Sequence, residues 1–139
     1  MKKYEQIEHT GDIGIRVFGQ TRKQLFEYAA FALFDLMTKI NTVNPLQKRI
    51  IKIYATDFEE LFVNWLSELN FIFQTEYQLF CEFEITDLTN TFLRALISGE
   101  PLDSNRHEIL NEIKAITFHA LKIEKSVEGN WIAQVIFDI

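Results

Sequence analysis

An α+β domain is predicted, with two main amphipathic helices packed on a mixed or mainly antiparallel β-sheet. Two long segments carry helical apolar periodicity, and several short runs are rich in β-branched and aromatic residues, with turn formers between them. The 139 residues fit one domain over 1–139: no linker-like stretch is visible, and thirteen Phe supply core volume.

Taken in order, residues 13–18 alternate apolar side chains with Gly14 and Arg16, as a strand does, and Gly19 ends the run. Thr21 and Gln24 have capping-box spacing. They open a helix to about Lys39 whose stripe is Leu25, Tyr28, Ala29, Ala32, Leu33, Leu36 and Met37. Residues 41–45 break the pattern, and 48–55 form a strand with Ile51, Ile53 and Ala55 on one face. Thr56 or Asp57 caps a second helix, with Leu61, Trp65, Leu66, Leu69, Ile72 and Phe73 inward. Strands follow at 79–85, 92–97, 116–123 and 131–137, making about six in all. Gly129, able to take positive φ, closes an antiparallel hairpin between the last two.

The net charge is -6, from 14 Lys+Arg against 20 Asp+Glu, with no basic cluster, so strong direct nucleic-acid binding is not expected. The single cysteine, Cys81, excludes an internal disulfide, and Phe80 and Phe83 beside it suggest a buried, inert thiol. No signal-peptide core and no membrane-spanning run is present, which points to a cytoplasmic protein. Gly-rich phosphate loops, nucleophile elbows, CxxC pairs and HExxH helices are all missing.

Four segments carry candidate chemistry. The corner Glu8-His9-Thr10-Gly11-Asp12 either presents Asp12 to a ligand or hydrogen-bonds its own turn. At the other end, Asp138 interrupts an apolar strand directly before the carboxylate of Ile139, and the repulsion between these groups calls for a cation or several donors. Asp12, Asp138 and Ile139 offer oxygen ligands, which suit a divalent metal such as Ca²⁺. Zinc is a poor match, because His9, His107 and His119 are scattered and there is one cysteine. The loop from Gly99 to His107 offers Arg106 to an anion and His107 as a group titrating near neutrality; an ordinary surface loop explains both equally. Last come Lys114, read either as a functional charge or as a protective strand-edge lysine, and His119, which by period two shares a face with Thr117 and Leu121.

These segments together resemble the archease family. The blocks that carry the resemblance are Glu8-His9-Thr10-Gly11-Asp12-Ile13-Gly14-Ile15, Trp65-Leu66-Ser67-Glu68-Leu69, the loop 103–107 ending in Arg106-His107, Lys114-Ala115-Ile116-Thr117-Phe118-His119, and Phe137-Asp138-Ile139. Two departures are Gly11, where the family usually has Ala, and Ala120, where it usually has Gly. The resemblance implies a protein cofactor, not an enzyme, that promotes guanylylation and multiple turnover of an RtcB-type RNA ligase in tRNA splicing or RNA repair and broadens its nucleotide use. It implies metal ligation, commonly of calcium, by Asp12, Asp138 and the Ile139 carboxylate, with Lys114 nearby. The alternatives are a metal-dependent phosphoesterase using Asp12, Asp138 and His119, and a chaperone-like interaction module.

Overall fold

Capping settles where each helix begins. In a computed structural model, which describes residues 2–8 and 10–139, α1 spans Arg22–Met37. The Gln24 N–H donates to Thr21 Oγ1 at 3.0 Å, while Gln24 Oε1 accepts from the Gln20 N–H at 2.7 Å, so the reciprocal bond reaches one residue further back than a capping box would. The helix stops two residues before the expected Lys39. Thr38 is extended, its hydroxyl donates to Glu108 O at 2.7 Å, and it bridges Ile109, so tertiary contacts end the helix. The second helix, α2, spans Phe58–Glu76; the Glu60 N–H donates to Asp57 Oδ1 at 2.8 Å and the Thr56 N–H to Glu60 Oε1 at 3.0 Å.

The described residues form seven strands: β1 (Tyr4–Ile7), β2 (Asp12–Gly19), β3 (Gln47–Tyr54), β4 (Gln78–Leu88), β5 (Phe92–Pro101), β6 (Ala115–Lys125) and β7 (Trp131–Asp138). The short, polar β1 escapes the sequence reading, because it alternates too little to show a period. The strands form two sheets, ordered β1-β2-β7-β6 and β3-β5-β4, with every neighbouring pair antiparallel.

The helices lie between the sheets. Helix α1 packs on β2 of one sheet and β4 of the other, and α2 packs on β6 and β3. This follows from a second apolar stripe on α1, in which Phe26, Ala30 and Phe34 are as buried as Leu25, Ala29 and Leu33. Phe34 meets Phe80 and Phe83 of β4, with ring centroids 5.7 and 5.8 Å away. Trp65, fully buried, joins the helices by donating its indole N–H to Phe26 O at 2.9 Å.

Of three register shifts in the described strands, two at Phe80/Glu82 and Ile85/Asp87 in β4 and one in β6, the first and the last bear on candidate residues. In β4, Phe80 pairs with Gly99 and Glu82 with Ser98, which leaves Cys81 as the extra residue of a bulge; it is half-buried, not buried as expected. Desolvation, with Glu82 and Glu100 close by, pushes its thiol up to about 11, so it stays protonated and unreactive as the sequence suggests. In β6, pairing runs to Thr117↔Ile136 and resumes at Lys122↔Gln134, so residues 118–121 face Val135 alone. Ala120 there takes φ +54°, which breaks the period-two alternation. His119 is exposed on this distorted segment, while Thr117 and Leu121 on either side of it are half-buried.

Candidate functional site

Three strand ends converge at one end of the four-stranded sheet. Asp12 opens β2 and is the register partner of Asp138, which closes β7; on its other side Asp138 faces Ala115, the first residue of β6. Directly opposed residues share a face, with Cβ atoms about 4.5–5.5 Å apart. Asp12 and Asp138 therefore present two carboxylates side by side. Lys114 directly precedes β6, its backbone N–H donating to Asp138 O at 2.8 Å, and Ile139 follows Asp138 with partial exposure. An open depression of about 520 Å³ next to Asp12 is lined by Gln6, Ile7, Glu8 and Thr10. His9 lies outside the described residues.

Burial of Ile13, Ile15 and Val17 against the helices sets this arrangement, because it turns Asp12, Gly14 and Arg16 to the opposite face of β2. Gly14 is required there. A Cβ on it would stand 2.7 Å from Ile7 Cγ1 and 3.0 Å from Ile136 Cδ1, so a side chain would push β1 and the outer face of β7 away. Among the described residues no three His, Cys, Asp or Glu side chains gather closely enough to hold a metal ion.

Arg106 and His107 belong to a different cluster. Both reach Glu100, a buried residue at the end of β5 in the three-stranded sheet: Arg106 Nη2 pairs with Oε1, and His107 Nε2 lies 3.0 Å from Oε2. The Asn44 N–H adds a third bond to Oε2 at 2.7 Å. Because His107 Nδ1 accepts from the Asp103 N–H at 2.9 Å, Nδ1 carries no proton and Nε2–H is the donor to Glu100. Burial opposes ionisation of Glu100, but the Asn44 N–H, Arg106 and His107 outweigh it and hold the carboxyl below the usual glutamate range. The anion that Arg106 contacts is thus internal, and its guanidinium also reaches Thr42 O. This cluster fixes the loop between β5 and β6.

Chain comparisons join these features. A model of the Archease protein family (MTH1598/TM1083) matches residues 4–139. The protein archease of Pyrococcus abyssi is 42% identical over 142 residues, covering all of both chains, and that of Methanopyrus kandleri is 37% identical, covering 98% and 99%. The chain belongs to the archease family. The solution structure of Methanobacterium thermoautotrophicum protein 1598 superposes with TM-score 0.82 at 32% identity over the whole of both chains. A crystal structure from Thermotoga maritima, described as an archease and possible chaperone, superposes at 0.70 with 21% identity over 97% of this chain and 96% of that one, a likeness of fold.

Two departures from the usual archease pattern fall on unusual backbone. Gly11, at φ +76°, and Ala120, at φ +54°, are both left-handed, so glycine is in place at the first and strain is accepted at the second. The sequence reading missed two amides on α2. Asn70 is 3% exposed and donates from Nδ2 to Ile113 O at 2.9 Å; Gln74 donates to the same carbonyl at 3.1 Å. Together they fix the backbone that delivers Lys114. An amide between Leu69 and Ile72 on an apolar helix was the signal available for Asn70.

Proposed function

We propose that this archease-family chain activates an RtcB-type RNA ligase by promoting its guanylylation, acting as a protein cofactor and not as the ligase. The observation that supports this most is the register pairing of Asp12 with Asp138, an acidic corner to which the Lys114 backbone N–H is joined. Neighbouring strands seldom place like charges directly opposite without a purpose, because the pairing costs stability.

In this reading Asp12 and Asp138 bind a divalent cation, with the Ile139 carboxylate, main-chain carbonyls and water completing an oxygen set of the kind Ca²⁺ accepts. The cation supplies charge neutralisation when bound. The protein's own residues do the positioning. The two carboxylates fix where positive charge sits, Lys114 offers a second cation toward a phosphate, and β1 and β2 hold the corner rigid against the partner's nucleotide site. Positioning of this kind can lower a barrier by up to about 7–11 kcal/mol in favourable intramolecular cases. The net charge of -6 fits a protein that leaves the RNA to its partner.

The test is multiple-turnover guanylylation of the purified cognate ligase, with this protein at substoichiometric amounts. Wild type should accelerate turnover, and Asp12→Asn, Asp138→Asn and Lys114→Ala should each reduce the acceleration at least tenfold with unchanged circular dichroism. Full activation by both aspartate variants would sink the reading. Hydrolysis of a generic phosphodiester lost in Asp12→Asn would favour the phosphoesterase instead.

A further inference from the structure

Helix α2 fills the gap between two sheet edges, β3 of one sheet and β6 of the other, and its outward face is the floor of an open groove of about 580 Å³. Tyr54 and Lys52 line one wall, Lys114 the other, and Asn70, Phe71 and Gln74 the floor. Tyr54 and Phe71 are 67% and 56% exposed.

Three observations bear on what fits. First, the edge of β3 is open. The Ala55 N–H donates to Thr91 O across to the β5 side, while Tyr54 O accepts from Asn64 Nδ2 on the other, so by strand alternation the backbone N–H and C=O of Lys52 and Ile50 point outward from the edge. Among the described residues β3 pairs with β5 alone. Second, Asn70 is almost completely buried at the groove floor, and among the described residues its Oδ1 has no hydrogen-bond partner although its Nδ2 is satisfied. A buried acceptor without a donor costs about 1–3 kcal/mol, which an incoming N–H would remove. Third, two lysines and one acid, Glu68, line the groove, against an overall charge of -6.

We propose that this groove binds an extended peptide segment of a partner protein, one that carries an acidic and an apolar side chain two residues apart on the same face, as Lys52 and Tyr54 are on β3. The segment adds alongside β3 by main-chain hydrogen bonds to Lys52 and Ile50, donates an N–H to Asn70 Oδ1, rests apolar side chains on Tyr54 and Phe71, and directs its carboxylates to Lys52 and Lys114. A peptide backbone offers the alternating donors and acceptors that a strand edge and a row of amides require, which a nucleotide does not. The groove is distinct from the Asp12–Asp138 corner and borders it through Lys114 and Ala115, the register partner of Asp138, and the proposal stands whether or not that corner activates a ligase.

The test is selection of random displayed heptapeptides on the full-length protein, followed by titration of the enriched synthetic peptide into ¹⁵N-labelled protein. The expected result is a consensus with an acidic and an apolar position two residues apart, with saturable shifts at the Lys52 backbone amide and the Asn70 and Gln74 side-chain amides. Lys52→Glu and Tyr54→Ala, both exposed and away from the core, should weaken binding at least tenfold with an unchanged fold. N-methylating alternate peptide amides should abolish it. The proposal is overturned by absence of enrichment, by equal enrichment on the Lys52→Glu protein, by full binding of the N-methylated peptide, or by a basic consensus.

Discussion

Two groups of charged residues stood out in the sequence, and the fold treats them in opposite ways. At the end of β5, Glu100 is buried and each of its oxygens is met by Arg106, His107 or the Asn44 N–H. Between β2 and β7, Asp12 and Asp138 are set directly opposite one another at the surface, like charge against like charge. Opposite charges gathered inward hold a loop in place; like charges held together at a strand end spend stability on something other than folding. The contrast, and not the mere presence of polar residues, separates a structural cluster from a candidate site.

The comparison is most easily broken at Glu100. Glu100→Ala removes the shared partner of Arg106, His107 and the Asn44 N–H, and should destabilise the protein by about 2–4 kcal/mol in denaturant unfolding. The same residue gives a pH signature. Its folded carboxyl ionises below the ordinary 4.5, so its contribution is fully present above that pH and is lost as pH falls through the lower, folded value. Wild type should therefore lose stability in that acid range more steeply than Glu100→Gln. Equal pH profiles, or a loss below about 0.5 kcal/mol in Glu100→Ala, would mean the loop is held by other contacts.

The acidic corner should respond with the opposite sign. Asp138→Asn relieves the repulsion across the β2–β7 register at an exposed position and should raise stability by up to about 1 kcal/mol, measured as a shift in urea midpoint without a change in slope. A variant that is more stable and less able to activate its partner is the pattern expected of a functional residue. Loss of stability in Asp138→Asn would place the aspartate among the structural residues with Glu100.

Much of this was legible beforehand, for identifiable reasons. The caps at Thr21 and Asp57, the stripes of both helices and the Gly129 turn are local, and local chemistry decides them. The division into two sheets was not legible. It depends on the second stripe of α1, Phe26, Ala30 and Phe34, which a single-face reading of the helix overlooks. The same limit applies to the site residues. The blocks around Asp12 and Asp138 announced themselves as polar residues at apolar strand ends, but their pairing is a long-range register. Arg106 and His107 looked alike as surface candidates because their partner, Glu100, reads locally as one more polar loop residue although it closes a strand with its side chain inward.

The smallest effect expected concerns strain next to the corner. Ala120 holds φ +54° within β6, the strand whose first residue faces Asp138, whereas the Glu100 cluster carries no residue of positive φ. A left-handed alanine costs about 1–2 kcal/mol in backbone strain, and glycine gives back about 0.5–1 in unfolded-state entropy, so Ala120→Gly should stabilise by roughly 0.5 kcal/mol. If the proposed function holds and the distortion matters only as geometry, the variant keeps the wild-type level of ligase activation, because glycine adopts the same backbone without strain. If activation falls while stability rises, the alanine side chain or the strain itself contributes at the corner. A loss of stability would show that residues 118–121 relax to a regular strand in solution, and the contrast between a strained β6 and an unstrained buried cluster would no longer hold.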